Sequence, residues 1–177
     1  AGAGAGTAID ITANRISAGD GAFVNAKSRG LSIATSNSNA TILAERNKIW
    51  GGNGGNANIQ HANMAGVYFN AMAGTQTGLF ILRNNIIHGG RDPNPDLPVT
   101  YDAVSINSSI PNVDFARIYG NTIIGIADAG TSPHDVIRIS GAQNPRIVNN
   151  LLIAGNNDLI GLYQESGSAQ PSFLRNN

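Results

Sequence analysis

One short pattern, which occurs about six times, constrains the fold of this chain more than any other feature. Each copy has an apolar residue, two free positions, Asn, one free position, a second apolar residue, and in most copies Gly three residues further on. In one copy these residues are Ile147, Asn150, Leu152 and Gly155. A repeat of this size predicts a solenoid, in which each unit buries its apolar side only against its stacked neighbours. The repeated Asn residues are Asn14, Asn47, Asn84, Asn121, Asn150 and Asn176.

Apolar residues two positions apart flank the Asn of each copy, as Leu79 and Ile81 do before Asn84 and Ile86 does after it. A period of two predicts a strand with one face turned inward. The apolar residues on either side of the Asn are an odd number of positions apart, which breaks the alternation. This predicts a bend at the Asn, because Asn tolerates left-handed backbone. A second short strand precedes each Asn strand, so each repeat predicts about three strands and three corners. The inward pairs of these upstream strands are Leu31/Ile33, Val67/Phe69, Val104/Ile106, Ile137/Ile139 and Ile160/Leu162.

Stacked repeats would place the six Asn residues in one column, where their side-chain amides hydrogen-bond from coil to coil. With this pattern, the chain resembles the right-handed parallel β-helix family, which includes pectate lyases, alginate epimerases, phage tailspikes and bacterial surface proteins. The resemblance implies an all-β fold: a right-handed, single-stranded parallel β-helix (β-solenoid) of about five to six coils with an Asn ladder. A leucine-rich repeat is the alternative, but such repeats carry denser Leu at a fixed period.

The whole chain, residues 1–177, is expected to form a single β-helix domain. Its Ala/Gly-rich segment 1–8 is expected to be extended or disordered. The sequence stops one residue after Asn176, inside a last copy of the pattern, which indicates a segment of a longer solenoid or of a filament. The long segments between each Asn strand and the next upstream strand are expected to overhang one edge of the rod, where repeat scaffolds commonly bind partners.

Composition excludes several classes of function. Charged residues make up 12% of the chain, with Lys+Arg and Asp+Glu at 11 each, so no basic face for nucleic acid is expected. The absence of Cys excludes disulfides and thiolate metal sites. No apolar run approaches the roughly 18 residues of a membrane span. The chain is expected to be an extracellular or cell-surface protein secreted by a bacterium.

Candidate site residues follow from aligning the upstream strands with one another. The alignment stacks three carboxylates on one exposed face, about 5 Å apart: Asp102, Asp135 and Asp158. Like charges at this separation repel each other unless something compensates them. Compensation would come from Ca²⁺, which takes oxygen ligands, from Arg138, or from one raised carboxyl pKa. In the alternative interpretation, each Asp caps a corner by accepting backbone N–H bonds.

The same face gathers further candidates. The catalytic candidates are Arg138, His134 and Tyr101, and the substrate-binding candidates are Ser105, Asn107, Tyr163 and Arg91. Pectate lyases hold Ca²⁺ on carboxylates of this strand and use an Arg to remove the proton next to the uronate carboxylate, which implies that role for Arg138. The segment 132–135 is also similar to the Asp-Pro-His-Asp of alginate epimerases, although Ser132 replaces the first Asp.

Two functions compete on these grounds. The first is an extracellular structural or adhesive solenoid of a surface protein, fibre or spike, whose partners are its own copies or a longer parent chain. The alternative is an enzyme, a lyase or epimerase of acidic polysaccharide, that uses the Asp102/Asp135/Arg138/Asp158 face; glycan binding without catalysis at this face is a third. Few cations accompany the carboxylates, which favours the structural function. No cofactor is expected, or calcium if the Asp face is a site. Neither a nucleic-acid partner nor a membrane span is expected.

Overall fold

The structure is a computed structural model, and it describes residues 8–19, 27–35, 40–52, 63–71, 79–91, 100–113, 116–125, 134–143, 145–155, 158–164 and 173–177. These residues contain sixteen strands. Within these ranges there is no helix long and apolar enough to cross a membrane. Ala8 begins the first strand, and the rest of the predicted N-terminal segment lies outside the described residues.

The strands form three parallel sheets; each of five coils contributes one strand to each sheet, and the last described strand, β16, adds a sixth to the first sheet. The first sheet consists, in spatial order, of β1 (Ala8–Thr12), β4 (Thr41–Glu45), β7 (Phe80–Arg83), β10 (Ala116–Tyr119), β13 (Arg146–Val148) and β16 (Phe173–Arg175). The second consists of β2 (Arg15–Ser17), β5 (Lys48–Trp50), β8 (Ile86–His88), β11 (Thr122–Ile124) and β14 (Leu151–Ile153). The third consists of β3 (Lys27–Thr35), β6 (Asn63–Ala71), β9 (Thr100–Val113), β12 (His134–Gln143) and β15 (Asp158–Gln164). The predicted all-β parallel β-helix is therefore confirmed.

The core lies between the three sheets and consists of stacked columns of aliphatic side chains. In the first sheet, Ala44, Leu82 and Ile118 occupy equivalent positions of successive coils and are fully buried. Phe69 of the third sheet stacks on Phe80 of the first, with ring centroids 4.5 Å apart. The second sheet contributes a third wall of inward side chains: Ile16, Ile49, Ile87, Ile123 and Leu152.

The Asn ladder lies at the corner between the first and second sheets. The backbone N–H of Asn47 and its Nδ2 both donate to Oδ1 of Asn85, at 2.9 and 3.0 Å. The same Nδ2 also donates to the Ile11 carbonyl of the preceding coil, at 2.8 Å. This pairing repeats along the rod and buries polar groups without leaving them unpaired. The members of the ladder are Asn14, Asn47, Asn85, Asn121, Asn150 and Asn177.

Two residues of the predicted ladder are therefore wrong by one position. Asn84 and Asn176 are exposed, and the next residue of each pair, Asn85 or Asn177, holds the ladder position. The inward residues shift with them, so that Leu82 and Ile87 are buried, whereas Ile86 is exposed on the outer face.

The bend itself also lies one residue earlier than predicted. At each of the six corners the residue before the ladder Asn, and not the ladder Asn, has positive φ. These residues are Ala13, Arg46, Asn84, Gly120, Asn149 and Asn176, with φ between 52° and 63°. Asn and Gly adopt this left-handed conformation at low cost, whereas Ala13 and Arg46 are strained in it. This arrangement explains the paired Asn residues of the sequence, because the first Asn makes the bend and the second joins the ladder.

The third sheet has one crowded inward position that changes along the rod. Gly30, Gly66, Ala103 and Val136 follow one another there in successive coils, between aligned neighbours. A Cβ on Gly66 would lie 2.7 Å from Cγ2 of Ile87 and 2.8 Å from the Ala103 carbonyl oxygen. The core cross-section at this position is therefore narrow in the N-terminal coils and admits a side chain further on. The long connections predicted to overhang the rod lie largely outside the described residues.

Candidate functional site

The predicted site maps onto the outer face of the third sheet. In this sheet Val104 and Ile106 point inward with Ile137 and Ile139, which pair with them, and all four are buried. Alternation along the strands therefore turns Ser105 outward, next to Arg138 in the register. The backbone of Tyr163 pairs with Arg138 on the other side, so one column runs through these three positions.

Asp102 and Asp135 are neighbours in the same sheet, as expected from the alignment. Both belong to the column that begins with Arg29 and Ala65 in the earlier coils. The prediction that they are exposed is wrong, because each residue retains only 3% exposure. Ser105, three residues further along the strand than Asp102, is also buried, at 7% exposure. This part of the outer face is therefore enclosed although it lies outside the apolar core.

The third carboxylate does not continue this column. Asp158 pairs with His134, and Asp135 pairs with Ile160. The predicted alignment placed Leu162 opposite Ile139, whereas in the structure Leu162 lies opposite Ile137, so the strand is offset by two residues. The expected stack of three carboxylates is thus wrong in the backbone register at its last position. The side chains of Asp158, His134, Tyr101 and Tyr163 lie outside the part of the chain that the structure describes. Their predicted roles stay predictions.

The electrostatics of Asp102 and Asp135 set what this site can do. Two carboxylates on adjacent strands, roughly 4.8 Å apart, favour a cation beside them. Arg138 lies three residues along the strand from Asp135, and all three residues interact with partners in the folded chain. Calcium takes six to eight oxygen ligands. Within the described ranges, no group of three or more His, Cys, Asp or Glu side chains is placed to hold a metal ion.

Arg29 and Tyr68 belong to the same outer face, although neither was among the predicted site residues. The guanidinium carbon of Arg29 lies 3.3 Å from the centroid of the Tyr68 ring, a close cation–π contact. Burial lowers the pKa of Arg29, while the Tyr68 hydroxyl partly offsets this effect. Tyr68 pairs with Ser105 in the register. The regular spacing of the repeats was the signal that would have placed Tyr68 in the candidate column.

The remaining substrate-binding candidates are dispersed. Asn107 is half-buried on the outer face and pairs with Asn70 and Ser140 in the neighbouring coils. Arg91 is exposed beyond the end of β8, where its backbone N–H donates to the Gly52 carbonyl. It therefore belongs to the connection that follows the second sheet rather than to the column of Ser105.

A second concave surface lies on the outer face of the second sheet. It is a groove of about 400 Å³, with Trp50 and His88 stacked face to face at 4.6 Å and an interplanar angle of 15°. The sequence did not predict this groove, since Ile86 was expected to face inward and neither Trp50 nor His88 was a candidate site residue. The groove is lined by Arg15, Ile16, Ser17, Lys48, Ile49, Trp50, Ile86, His88 and Ile124.

Comparison with protein-family models, with curated proteins and with solved structures finds no match for this chain.

Proposed function

We propose that this chain is a structural and adhesive β-solenoid, a rod-like part of an extracellular surface protein, fibre or spike. The observation that carries the proposal is the Asn ladder, which continues without interruption from Asn14 to Asn177. Five side-chain oxygens each accept two bonds from the coil before. Such a ladder stiffens a rod along its axis, and it supports a function that depends on length and shape.

The direction of the ladder supports stacking on further coils. Every rung is donated by one Asn to the oxygen of the Asn in the following coil. A following coil would therefore receive the backbone N–H of Asn177, and a preceding coil would donate to Oδ1 of Asn14. These two groups are complementary, so a second copy stacked head-to-tail would continue the ladder with the same bonds.

Apolar side chains at the two end coils support the same arrangement. Ile9 in β1 and Leu174 in β16 are both exposed. Leu174 precedes its ladder Asn by three residues, as Ile11 precedes Asn14, so stacked copies would pair β16 with β1 in the register used throughout the rod. Strand edges are templates for further strands. A head-to-tail contact that does not close into a ring extends into a filament.

Sedimentation velocity over a range of protein concentration tests this proposal. We expect the wild-type chain to form longer species as concentration rises, and Leu174→Lys to sediment as a single chain. Leu151→Lys is the matched control, because Leu151 is 58% exposed and Leu174 is 55% exposed, but Leu151 lies on the outer face of the second sheet. A wild-type chain that stays monomeric at all concentrations, or an equal loss of association in both variants, would contradict the proposal.

An enzyme acting on acidic polysaccharide is the second candidate, favoured by one observation. Asp102 and Asp135 are enclosed side by side, with Arg138 on the same sheet. If these residues form a calcium-dependent active site, wild-type protein with millimolar calcium should shorten polyuronate, and Arg138→Gln should abolish this activity. Arg146→Gln, an exposed cation on the first sheet, is the control. Absence of product from the wild-type protein would exclude this candidate for the polymer tested.

A further inference from the structure

We propose that the groove on the second sheet binds a small aromatic carboxylate, whose ring stacks on Trp50 and whose carboxylate pairs with Arg15 and Lys48. The volume of about 400 Å³ falls in the range of small-molecule sites. The groove lies on a different sheet from Asp102 and Asp135. Binding of such a ligand would give the proposed adhesive function a ligand class. The inference rests on the proposed function only for that adhesive role.

The ring position follows from the register around Trp50. Trp50 pairs with His88 in the next coil and with Ser17 in the preceding one. His88 covers one face of the indole, and the opposite face is turned toward Ser17, which is small and exposed. The stacked rings are 4.6 Å apart, close to the spacing of roughly 4.8 Å between strands. A planar ring above Ser17 would therefore continue the stack by one layer.

The platform is held in place before any ligand arrives. The backbone N–H of Gly90 donates to Nδ1 of His88 at 2.9 Å, which fixes the imidazole and requires the proton of the neutral ring to be on Nε2. Ile49, the inward neighbour of Trp50, is buried in the core. A rigid aromatic surface loses little conformational entropy on binding, which favours affinity for a small ligand.

The anionic group follows from the charges at the other end of the same strands. Arg15 and Lys48 pair in the register and lie two residues before Ser17 and Trp50, a separation of about 7 Å. Both are exposed, and neither forms an ion pair with any residue in the described ranges. None of the groove's lining residues that the structure describes carries a carboxylate. The charge of the groove is therefore complementary to an anion, and the Arg guanidinium matches the two oxygens of a carboxylate.

The lining favours an aromatic acid over a sugar or a nucleotide. Apart from Arg15 and Lys48, the polar groups on its described lining side chains are those of Ser17 and His88 and the indole N–H of Trp50. The Ser17 hydroxyl donates to the Ala18 carbonyl at 3.1 Å, which occupies its proton. Ring hydroxyls of a saccharide or a ribose would therefore lack partners between the stacking position and the cations, and unpaired polar groups oppose binding. An aromatic ring with a short acidic arm has no ring hydroxyls that would need hydrogen-bond partners in the groove.

Fluorescence of Trp50 provides a direct assay, because Trp50 is the single Trp of the chain. Titration with 3-phenylpropanoate should change the emission in a saturable manner. The neutral alcohol 3-phenylpropan-1-ol should bind at least about fivefold more weakly, since it lacks the charge-assisted bonds. Lys48→Gln and Arg15→Gln should each weaken 3-phenylpropanoate binding by a similar factor. Arg46→Gln, which removes an exposed cation at the corner outside the groove, should leave it unchanged.

A steric variant keeps the test independent of the charges. Ser17→Leu places a larger side chain in the space above Ser17 where the ligand ring would stack, and it leaves Trp50 in place as the reporter. We expect it to abolish the 3-phenylpropanoate response while the melting temperature stays within about 2 °C of wild type. Its sedimentation should match that of wild type, so loss of ligand binding and loss of head-to-tail stacking are separate outcomes.

Several results would overturn the inference. These are no saturable response of wild-type protein to millimolar 3-phenylpropanoate, equal affinity for the neutral alcohol, or unchanged affinity in Ser17→Leu. Tighter binding of galacturonate would assign the groove to an acidic sugar instead, and tighter binding of adenosine monophosphate would assign it to a nucleotide. Either result would contradict the aromatic carboxylate.

Discussion

The side-chain oxygen of Asn121 accepts two hydrogen bonds from Asn85, one from its backbone N–H and one from its Nδ2, both of 3.0 Å. Asn121 in turn donates from Nδ2 to the Leu82 carbonyl at 2.9 Å and to Oδ1 of Asn150 at 3.0 Å. One buried side chain thus satisfies polar groups of three successive coils. Since these bonds recur at the corner between the first and second sheets, the ladder holds successive coils together there.

Removal of one rung should destabilise the fold. Asn121→Ala leaves the buried amides of Asn85 without their acceptor, and we expect a loss of about 1–3 kcal/mol of unfolding free energy, measured by chemical denaturation. Asn84→Gly is the control, because Asn84 is exposed and left-handed, and Gly tolerates that conformation. Equal stability of Asn121→Ala and wild type would show that the ladder does not stabilise the rod.

The strained corners should respond to substitution in opposite directions. Arg46 has φ of 56°, so Arg46→Asn should raise the unfolding free energy by about 0.5–1 kcal/mol. Gly120 has φ of 63° at the equivalent corner, and Gly120→Ala should lower the unfolding free energy by about 1 kcal/mol. Thermal denaturation of Arg46→Asn and Gly120→Ala measures both changes in stability. Changes of the same sign would contradict the assignment of strain to this position.

The ion pair between Glu45 and Arg83 should give the stability a pH dependence. Arg83 Nη2 lies 3.0 Å from Glu45 Oε2, and this hydrogen bond lowers the pKa of Glu45 below its ordinary value of 4.5. A carboxyl with a lowered folded-state pKa stabilises the fold above its unfolded pKa, and this contribution is lost as pH falls through the folded pKa. The melting-temperature difference between wild type and Glu45→Gln should therefore shrink from neutral pH to about pH 2.

A double-mutant comparison isolates that effect. In an Arg83→Gln background, Glu45→Gln should change the melting temperature much less at neutral pH than it does in wild type. A difference that is independent of pH, or equal in both backgrounds, would mean that the pair does not contribute to stability.

A single methyl group at Gly66, the narrow position of the core, should destabilise the fold. Gly66→Ala places a Cβ within 2.8 Å of backbone oxygens that cannot move freely, and we expect a loss of about 1–3 kcal/mol. Gly161→Ala is the matched control, since its Cβ would meet only Leu152 Cδ1 at 3.9 Å, and its stability should stay within about 0.5 kcal/mol of wild type. Denaturant titration that finds the two variants equally stable would contradict this account of the cross-section.

The fold was predictable from the sequence because each coil repeats the same inward positions. The register of individual strands was not always predictable. Around Asn84 and Asn85 both registers place apolar residues inward, either Ile81 or Leu82. The observed register places Asn84 at the left-handed corner, whereas the alternative would place Arg83 there, and Asn adopts that conformation at lower cost than Arg. Pairs of Asn are therefore better interpreted as bend followed by ladder.

The candidate site was less predictable, for two physical reasons. The last strand of the third sheet pairs Leu162 with Ile137 rather than with Ile139, which moves Asp158 out of line with Asp135. Both registers place Leu162 opposite a buried Ile, so the residue pattern does not distinguish them. On the second sheet, the outward positions carry Ile86, Ile124 and Leu151, which alternation alone cannot separate from inward residues. The groove at Trp50 and His88 was hidden for that reason.

Electron microscopy of the wild-type chain at high concentration tests the central claim of a stacking structural rod most directly. The account predicts unbranched rods one β-helix wide, with an axial repeat of roughly 4.8 Å per coil that continues across the boundary between copies. Leu151→Lys should form the same rods, whereas Leu174→Lys should not. Particles of single-chain size at every concentration, or rods that persist in Leu174→Lys, would contradict it.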